Sequence, residues 1–251
     1  MNISGIKKIL PKPLKKLFGR LDYMWNKWSA KLDAETTRDL IEYFNLDRKK
    51  IMHLARSGGE LSADLWFSLN PKTEEEVRNF YKENPFYVFH LIFWHAAKKQ
   101  KKFRAEIVKL AKGSVLDYGG GTGDISVALS KKGFDVDYAD LPGRTFNFAK
   151  WLFQKKKCIV PMIDLSGGKI CKKYGTIICI DVIEHVHDPK TLLKEFVNCL
   201  ANEGQLIITG LHPVVDDGSP MHFEMGFNPE EHLESLGMEA TDSLFLWTKR
   251  F

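Results

Sequence analysis

Residues 115–124 read VLDYGGGTGD: apolar residues lead into an aspartate, and four glycines then fall within five positions. Glycine loses more conformational freedom on ordering than any other residue. A chain that sets four of them directly after a strand-like run therefore needs bare backbone there. Beyond the loop, apolar runs alternate with helical patterns. Residues 114–118, 134–140, 158–164, 176–181 and 204–210 read as strands, and residues 124–132, 144–154 and 189–201 read as helices between most of them. Asp188-Pro189 gives the last of these helices an N-cap followed by proline at its first position. Strands alternating with helices predict a parallel sheet covered on both faces. The link at 165–175 is too short for a full helix, and 238–251 reads as a short and a longer strand on an antiparallel edge. The expected fold is α/β: a Rossmann-like, doubly wound, mostly parallel seven-stranded sheet with an N-terminal helical extension.

The pattern changes near residue 112, which predicts a helical region over 1–111 and a sheet domain over 112–251. In the first part, Pro13 is placed to start a helix in which Leu14, Leu17, Phe18, Leu21, Trp25 and Trp28 recur at spacings of three and four. Lys15, Lys16, Arg20 and Lys27 fall on other faces. Such a basic amphipathic helix suits packing over the body of the protein, with peripheral contact to an anionic membrane as the second reading. Further helices are expected over 33–45, 62–69 and 73–83; Thr73 and Glu76 form a capping box, and Asn84-Pro85 breaks the chain. The run FYVFHLIFWHAA (86–97) has the length of a buried helix rather than a membrane span.

Composition narrows the class. Of 251 residues, 44% are hydrophobic and 27% charged, as in a globular protein with a sizeable core. The four cysteines, Cys158, Cys171, Cys179 and Cys199, show no C-x-x-C spacing, which argues against a zinc or disulfide framework and suits a reducing compartment. The expected setting is cytoplasmic, with membrane association through the N-terminal helix as the second setting. The net charge of +5 is spread over lysine runs at 98–102 and 155–157, read as solvated surface because neither run is interleaved with aromatics.

In a doubly wound sheet, ligands bind beyond the carboxyl ends of the strands, where the loop sits. A P-loop needs Lys followed by Ser or Thr, which this loop lacks. In the dinucleotide pattern G-x-G-x-x-G counted from Gly119, the third glycine position holds Asp124, facing where a pyrophosphate would lie. The glycines follow D-x-G-x-G-x-G instead. This stretch resembles the first motif of class I methyltransferases that use S-adenosylmethionine, and the likeness extends over roughly 112–251. Asp140 and Asp164 close the second and third strands, and DVIEHVHDP (181–189) follows the fourth, in register with the loop. The resemblance implies a cofactor site of Asp117, Gly119, Gly120, Gly121, Gly123, Asp140, Leu141, Asp164, Leu165 and Asp181. In it, Asp140 accepts from the ribose hydroxyls, Asp164 lies near the adenine amino group, and Asp117 organises the loop. The product would be S-adenosylhomocysteine.

The acceptor must then approach across the ends of the fourth and fifth strands. His185 and His212 are the expected catalytic residues, as proton acceptors from a hydroxyl or amine; His187 reads as surface. The substrate wall is expected from Tyr81, Tyr87, His90, Trp94, His222 and Phe223. No metal is expected. A mixed set of Asp181, Glu184, His185 and His212 would suit a divalent ion, as in small-RNA terminal methyltransferases with a similar E-x-x-E-H arrangement, but Asp181 stands where their first glutamate would be. The leading expectation is O- or N-methylation of a small molecule by in-line displacement, with nucleic acid disfavoured. The alternatives are an RNA methyltransferase and a non-catalytic methyltransferase-like binding protein. The sequence leaves the oligomeric state open.

Overall fold

Helix α1 (Ala34–Phe44) begins where the Asp33 side chain accepts from the Thr36 N–H and ends at Asn45 in the left-handed region. The computed structural model describes residues 24–249, except 26, 168, 169, 171, 214, 216–219 and 244. Most of the helix expected from Pro13 lies outside the described residues; Trp25 and Trp28 lie within them and are exposed. Next comes α2 (Arg48–Leu69), of which the sequence pattern had suggested only the C-terminal part. Gly58-Gly59 looks like an interruption, but a Cβ on Gly58 would lie 2.8 Å from the His90 backbone nitrogen. That glycine lets a crossing helix approach; it does not break its own. The helices α3 (Glu74–Glu83), with both halves of its capping box formed, α4 (Tyr87–His95) and α5 (Lys98–Leu110) complete the extension.

The sheet contains β1 (Val115–Tyr118), β2 (Val136–Asp140), β3 (Met162–Asp164), β4 (Tyr174–Cys179), β5 (Leu200–Ile208), β6 (Met238–Ala240) and β7 (Leu246–Lys249). Their order is β3-β2-β1-β4-β5-β7-β6. The first five run parallel, and β7 is antiparallel to both β5 and β6. Between the parallel strands lie α6 (Asp124–Lys131), α7 (Arg144–Lys156) and α8 (Pro189–Cys199); α9 (Pro229–Ser235) precedes the edge pair. The order reverses beside β1, the switch point at which such sheets bind ligands. Leu116, Ile177, Ile178, Leu206 and Ile207 are fully buried, as expected for strands covered on both faces.

An apolar cluster and a group of ion pairs help fasten the helical extension to the sheet half. Leu40, Ile51, Val88, Phe89 and Ile92 share one core cluster with Phe148 and Leu152 of α7. Beside it, Asp39, only 6% exposed, pairs with Lys155 at 3.0 Å and Lys156 at 2.7 Å, while Glu42 and Glu35 take the outer sides of the same lysines. Removing one partner of such a buried pair is costly, because the other charge is stranded away from water. The lysine run at 155–157, read from sequence as solvated surface, is thus largely a packing device.

Candidate active site

The loop opens at Gly119 and closes at Gly123, the N-cap of α6, and Gly119, Gly121 and Gly123 all have positive φ (65°, 55° and 76°). A side chain would be strained there. The backbone is tied to β2: Gly119 N–H donates to the Ala139 carbonyl (2.8 Å), and the Tyr138 hydroxyl donates to the Gly121 carbonyl (2.7 Å). Asp140, at the end of β2, accepts from the N–H groups of Gly121 (2.8 Å) and Leu141 (2.7 Å). Burial pushes its carboxyl up, and those donors offset part of the effect. Asp117 lies under the loop, accepts from Ser126 Oγ at 2.6 Å and is pushed up to about 6 by burial.

Asp117, Gly119, Gly120, Gly121, Asp140, Leu141, Leu165 and Asp181 line one cavity of about 440 Å³. Tyr81, Tyr87, His90, Trp94, His185 and His222 line the same cavity. The expected cofactor and acceptor groups therefore meet in one space, of the size usual for small-molecule sites. Four expected site residues do not line it. A Cβ on Gly123 would strike the Phe153 ring, so that glycine serves helix packing. Asp164 is exposed and accepts from the Ser166 N–H at 2.7 Å, a turn contact. His212 is exposed and faces Glu230 at 3.4 Å. Phe223 packs on Trp66 beside the wall, and its neighbours Met221 and His222 take the place on the wall itself. His187 is exposed, as expected, yet reaches the cavity rim.

At the acceptor end, β4 leads through Asp181, whose φ is 54°, into one 3-10 turn, Ile183–His185. Thr209 Oγ donates to the Asp181 carboxylate at 2.7 Å, which fixes that corner to the end of β5. His185 Nδ1 lies 2.8 Å from the Tyr81 hydroxyl and 2.9 Å from the Met221 carbonyl. A carbonyl only accepts, so Nδ1 carries the proton and Nε2 keeps its lone pair. Burial, helped by His222, lowers the imidazole to about 3, so His185 is neutral near pH 7. The Glu184 carboxyl is pushed up to about 8, first by burial and then by Asp181.

The wall also holds Arg104 and His95, which the sequence reading missed. Arg104 pairs with Asp124 at 3.1 Å and also contacts His95, whose Nδ1 lies 3.2 Å from Asp124. Burial alone would raise the Asp124 carboxyl, but Arg104 and His95 outweigh it and hold it well below its ordinary value. Arg104 sits in a lysine-rich helix that reads as solvated, so residue type gave no signal. Arg104 Nε is buried without a partner.

These features fit a nucleoside-bearing amino acid. A Cβ on Gly119 would lie 2.4 Å from the Val182 side chain, and one on Gly121 would lie 3.1 Å from Leu91, so side chains would fill the cradle. The sequence matches the family described as "Methyltransferase domain" over residues 93–241. The chain belongs to this family of class I S-adenosylmethionine-dependent methyltransferases. Among solved structures, magnesium protoporphyrin IX methyltransferase (ChlM) from Synechocystis PCC 6803 with bound SAH is similar at 16% identity and a TM-score of 0.52, over 70% of this chain and 100% of that one. TehB from Haemophilus influenzae is 20% identical with a TM-score of 0.39, over 43% of this chain and 39% of that one. N-methyltransferase NodS from Bradyrhizobium japonicum WM9, in complex with S-adenosyl-L-homocysteine, is 17% identical with a TM-score of 0.39, over 44% of this chain and 61% of that one. The first of the three shares the fold of this chain. Comparison with curated proteins gives no match. No helix among the described residues is long and apolar enough to cross a membrane.

Proposed function

We propose that this methyltransferase acts on an oxygen or nitrogen of a small molecule enclosed beside the cofactor. The observation that carries the reading is the shared cavity: glycine loop and Asp140 at one end, Tyr81, Tyr87, His185 and His222 at the other. When bound, S-adenosylmethionine supplies an activated methyl group on a sulfonium. The loop backbone with Asp117 would hold its methionine end, and Arg104 offers a cation for its carboxylate. Asp140 would take the ribose hydroxyls, and Leu141 and Leu165 would flank the base. The protein's task is then to align two reactants and exclude water. Tyr81, Tyr87, His90 and Trp94 give the acceptor a mostly aromatic wall on the helical side, which makes α3 and α4 the acceptor cap.

His185 belongs at the reacting end; His212, turned toward Glu230, has no part in this reading. With its imidazole lowered to about 3, His185 is neutral near pH 7 and keeps the Nε2 lone pair, but is a weak proton acceptor. The pairing of Lys155 and Lys156 with Asp39 disfavours a nucleic-acid face at that run. The test is to purify the protein, identify bound organic molecules by mass spectrometry, and titrate S-adenosylhomocysteine and NADH by calorimetry. Binding of the homocysteine product, with a small organic molecule retained, is expected. Binding of NADH without response to S-adenosylhomocysteine would overturn the reading, and salt-resistant retention of RNA would replace the small acceptor with a polymer.

A further inference from the structure

Glu184, His185 and His222 each offer one ligand atom, and the three atoms lie within 4.8 Å of one another. They come from two segments that the backbone holds together: Phe223 N–H donates to the Glu184 carbonyl at 2.8 Å, and His185 Nδ1 donates to the Met221 carbonyl at 2.9 Å. The rings of His185 and His222 are 4.9 Å apart between centroids. A second observation points to a ligand. Glu184 is 5% exposed and lines the cavity, yet its Oε2 has no hydrogen-bond partner. A Cβ on Gly210 would lie 2.0 Å from that oxygen, so the space for the carboxylate exists because residue 210 has no side chain. A buried carboxyl oxygen left unsatisfied is costly whether or not the group is ionised. Two imidazoles beside it make a poor anion site and a good cation site.

We propose that Glu184, His185 and His222 bind a first-row divalent cation, and that the methyl acceptor reaches this cation through a hydroxyl oxygen. The donor set decides the kind of ion. Imidazoles with one carboxylate suit Zn²⁺, Co²⁺ or Fe²⁺, whereas Mg²⁺ and Ca²⁺ prefer all-oxygen sites. The His185 tautomer agrees, since a ligating imidazole ordinarily donates its other N–H to a carbonyl or carboxylate. Three protein ligands leave positions open toward the cavity, where Tyr81 and Tyr87 also stand. The set differs from the one suggested by sequence: His222 takes the place of His212, and Asp181 is held by Thr209.

The acceptor half of the proposal rests on the methyl-transfer reading; the cation half does not. A hydroxyl bound to the cation is more acidic and gives its proton to solvent. Its oxygen then forms the new O–CH₃ bond while the C–S bond breaks and the electron pair stays on sulfur. The products are the methyl ether, S-adenosylhomocysteine and one released proton, so no imidazole base is needed.

The full chain is stripped with EDTA and dialysed. Co²⁺ is then titrated with visible absorption as the readout, and Zn²⁺ by calorimetry. One ion per chain is expected. Glu184→Gln and His222→Ala should each weaken binding at least tenfold, while S-adenosylhomocysteine affinity stays unchanged and certifies the fold. If Glu184→Gln does not fold, His222→Ala decides. Absence of binding at millimolar Co²⁺ and Zn²⁺, or equal binding in a folded variant, overturns the proposal. Loss of S-adenosylhomocysteine binding in a wild-type protein that still takes Co²⁺ would instead remove the methyl-transfer reading and keep the cation site.

Discussion

At the proposed cofactor end of the cavity, most of the lining comes from one stretch, Asp117 to Leu141, on strand ends and the backbone of one loop, joined by Arg104 and Leu165. At the acceptor end, the wall is assembled from side chains that span the chain from Tyr81 to His222, carried by α3, α4, a single 3-10 turn and the segment before α9. The first end is set by local backbone geometry and strand register, so a change there should act on one ligand through one contact. The second depends on long-range convergence, with Tyr81, Met221 and His222 all meeting His185. Substitutions at the two ends should therefore separate turnover from cofactor affinity.

The largest expected effect lies at the acceptor end. His185→Ala should lower turnover about a hundredfold or more, the scale on which a group at the reacting centre acts. S-adenosylhomocysteine affinity by calorimetry should stay within twofold. Parallel losses of both would break the distinction between the ends. Next comes Asp140→Ala. Hydrogen bonds to a charged acceptor contribute about 1.5–3 kcal/mol each, so cofactor affinity should fall roughly tenfold to over a hundredfold. Turnover at saturating cofactor should change much less, and a variant that binds normally would remove Asp140 from the ribose contact.

A third test concerns stability. Burial raises the Asp117 carboxyl to about 6 in the folded protein, against the ordinary 3.8 of an exposed aspartate. A raised acid favours the folded state at low pH, and this advantage is lost as pH rises through 6. Asp117→Asn removes the penalty of burying the ionised form. It should stabilise the protein at pH 8 by on the order of 1–3 kcal/mol and leave it unchanged near pH 4. Thermal unfolding at the two pH values reads this out, and equal shifts at both would contradict it. The smallest effect belongs to His212→Ala, which should alter neither turnover nor cofactor affinity beyond twofold. A large loss of turnover would bring that histidine back to the acceptor end.

The strand–loop–helix alternation, the edge pair after Met238, the glycine loop and Asp140 were all legible in the sequence, because each is written in a contiguous stretch. Gly123 and Asp164 belong to the same pattern, but sequence shows a glycine or a strand-end aspartate without showing which way it faces; one packs against Phe153 and the other caps a turn. His212 and His222 both follow β5, and the sequence assigns the first to catalysis and the second to the substrate wall. The path of the chain aims the first at Glu230 and the second at His185. Arg104 was concealed by its lysine neighbours, and Gly58 was concealed because a close helix crossing leaves the same mark in sequence as a helix break.

The pairing of Lys155 and Lys156 has a consequence for polyelectrolytes. Nucleic acids bind basic surfaces largely by releasing condensed counterions, and each phosphate neutralised adds to the salt dependence. These two lysines already have fixed carboxylate partners, with Asp39 shared between them and Glu42 and Glu35 outside. A phosphate arriving there would have to displace a carboxylate of the same chain and would release no mobile ion. Those two lysines therefore contribute almost nothing to a salt-dependent affinity for RNA or DNA, although they add to the +5 formal charge of the chain.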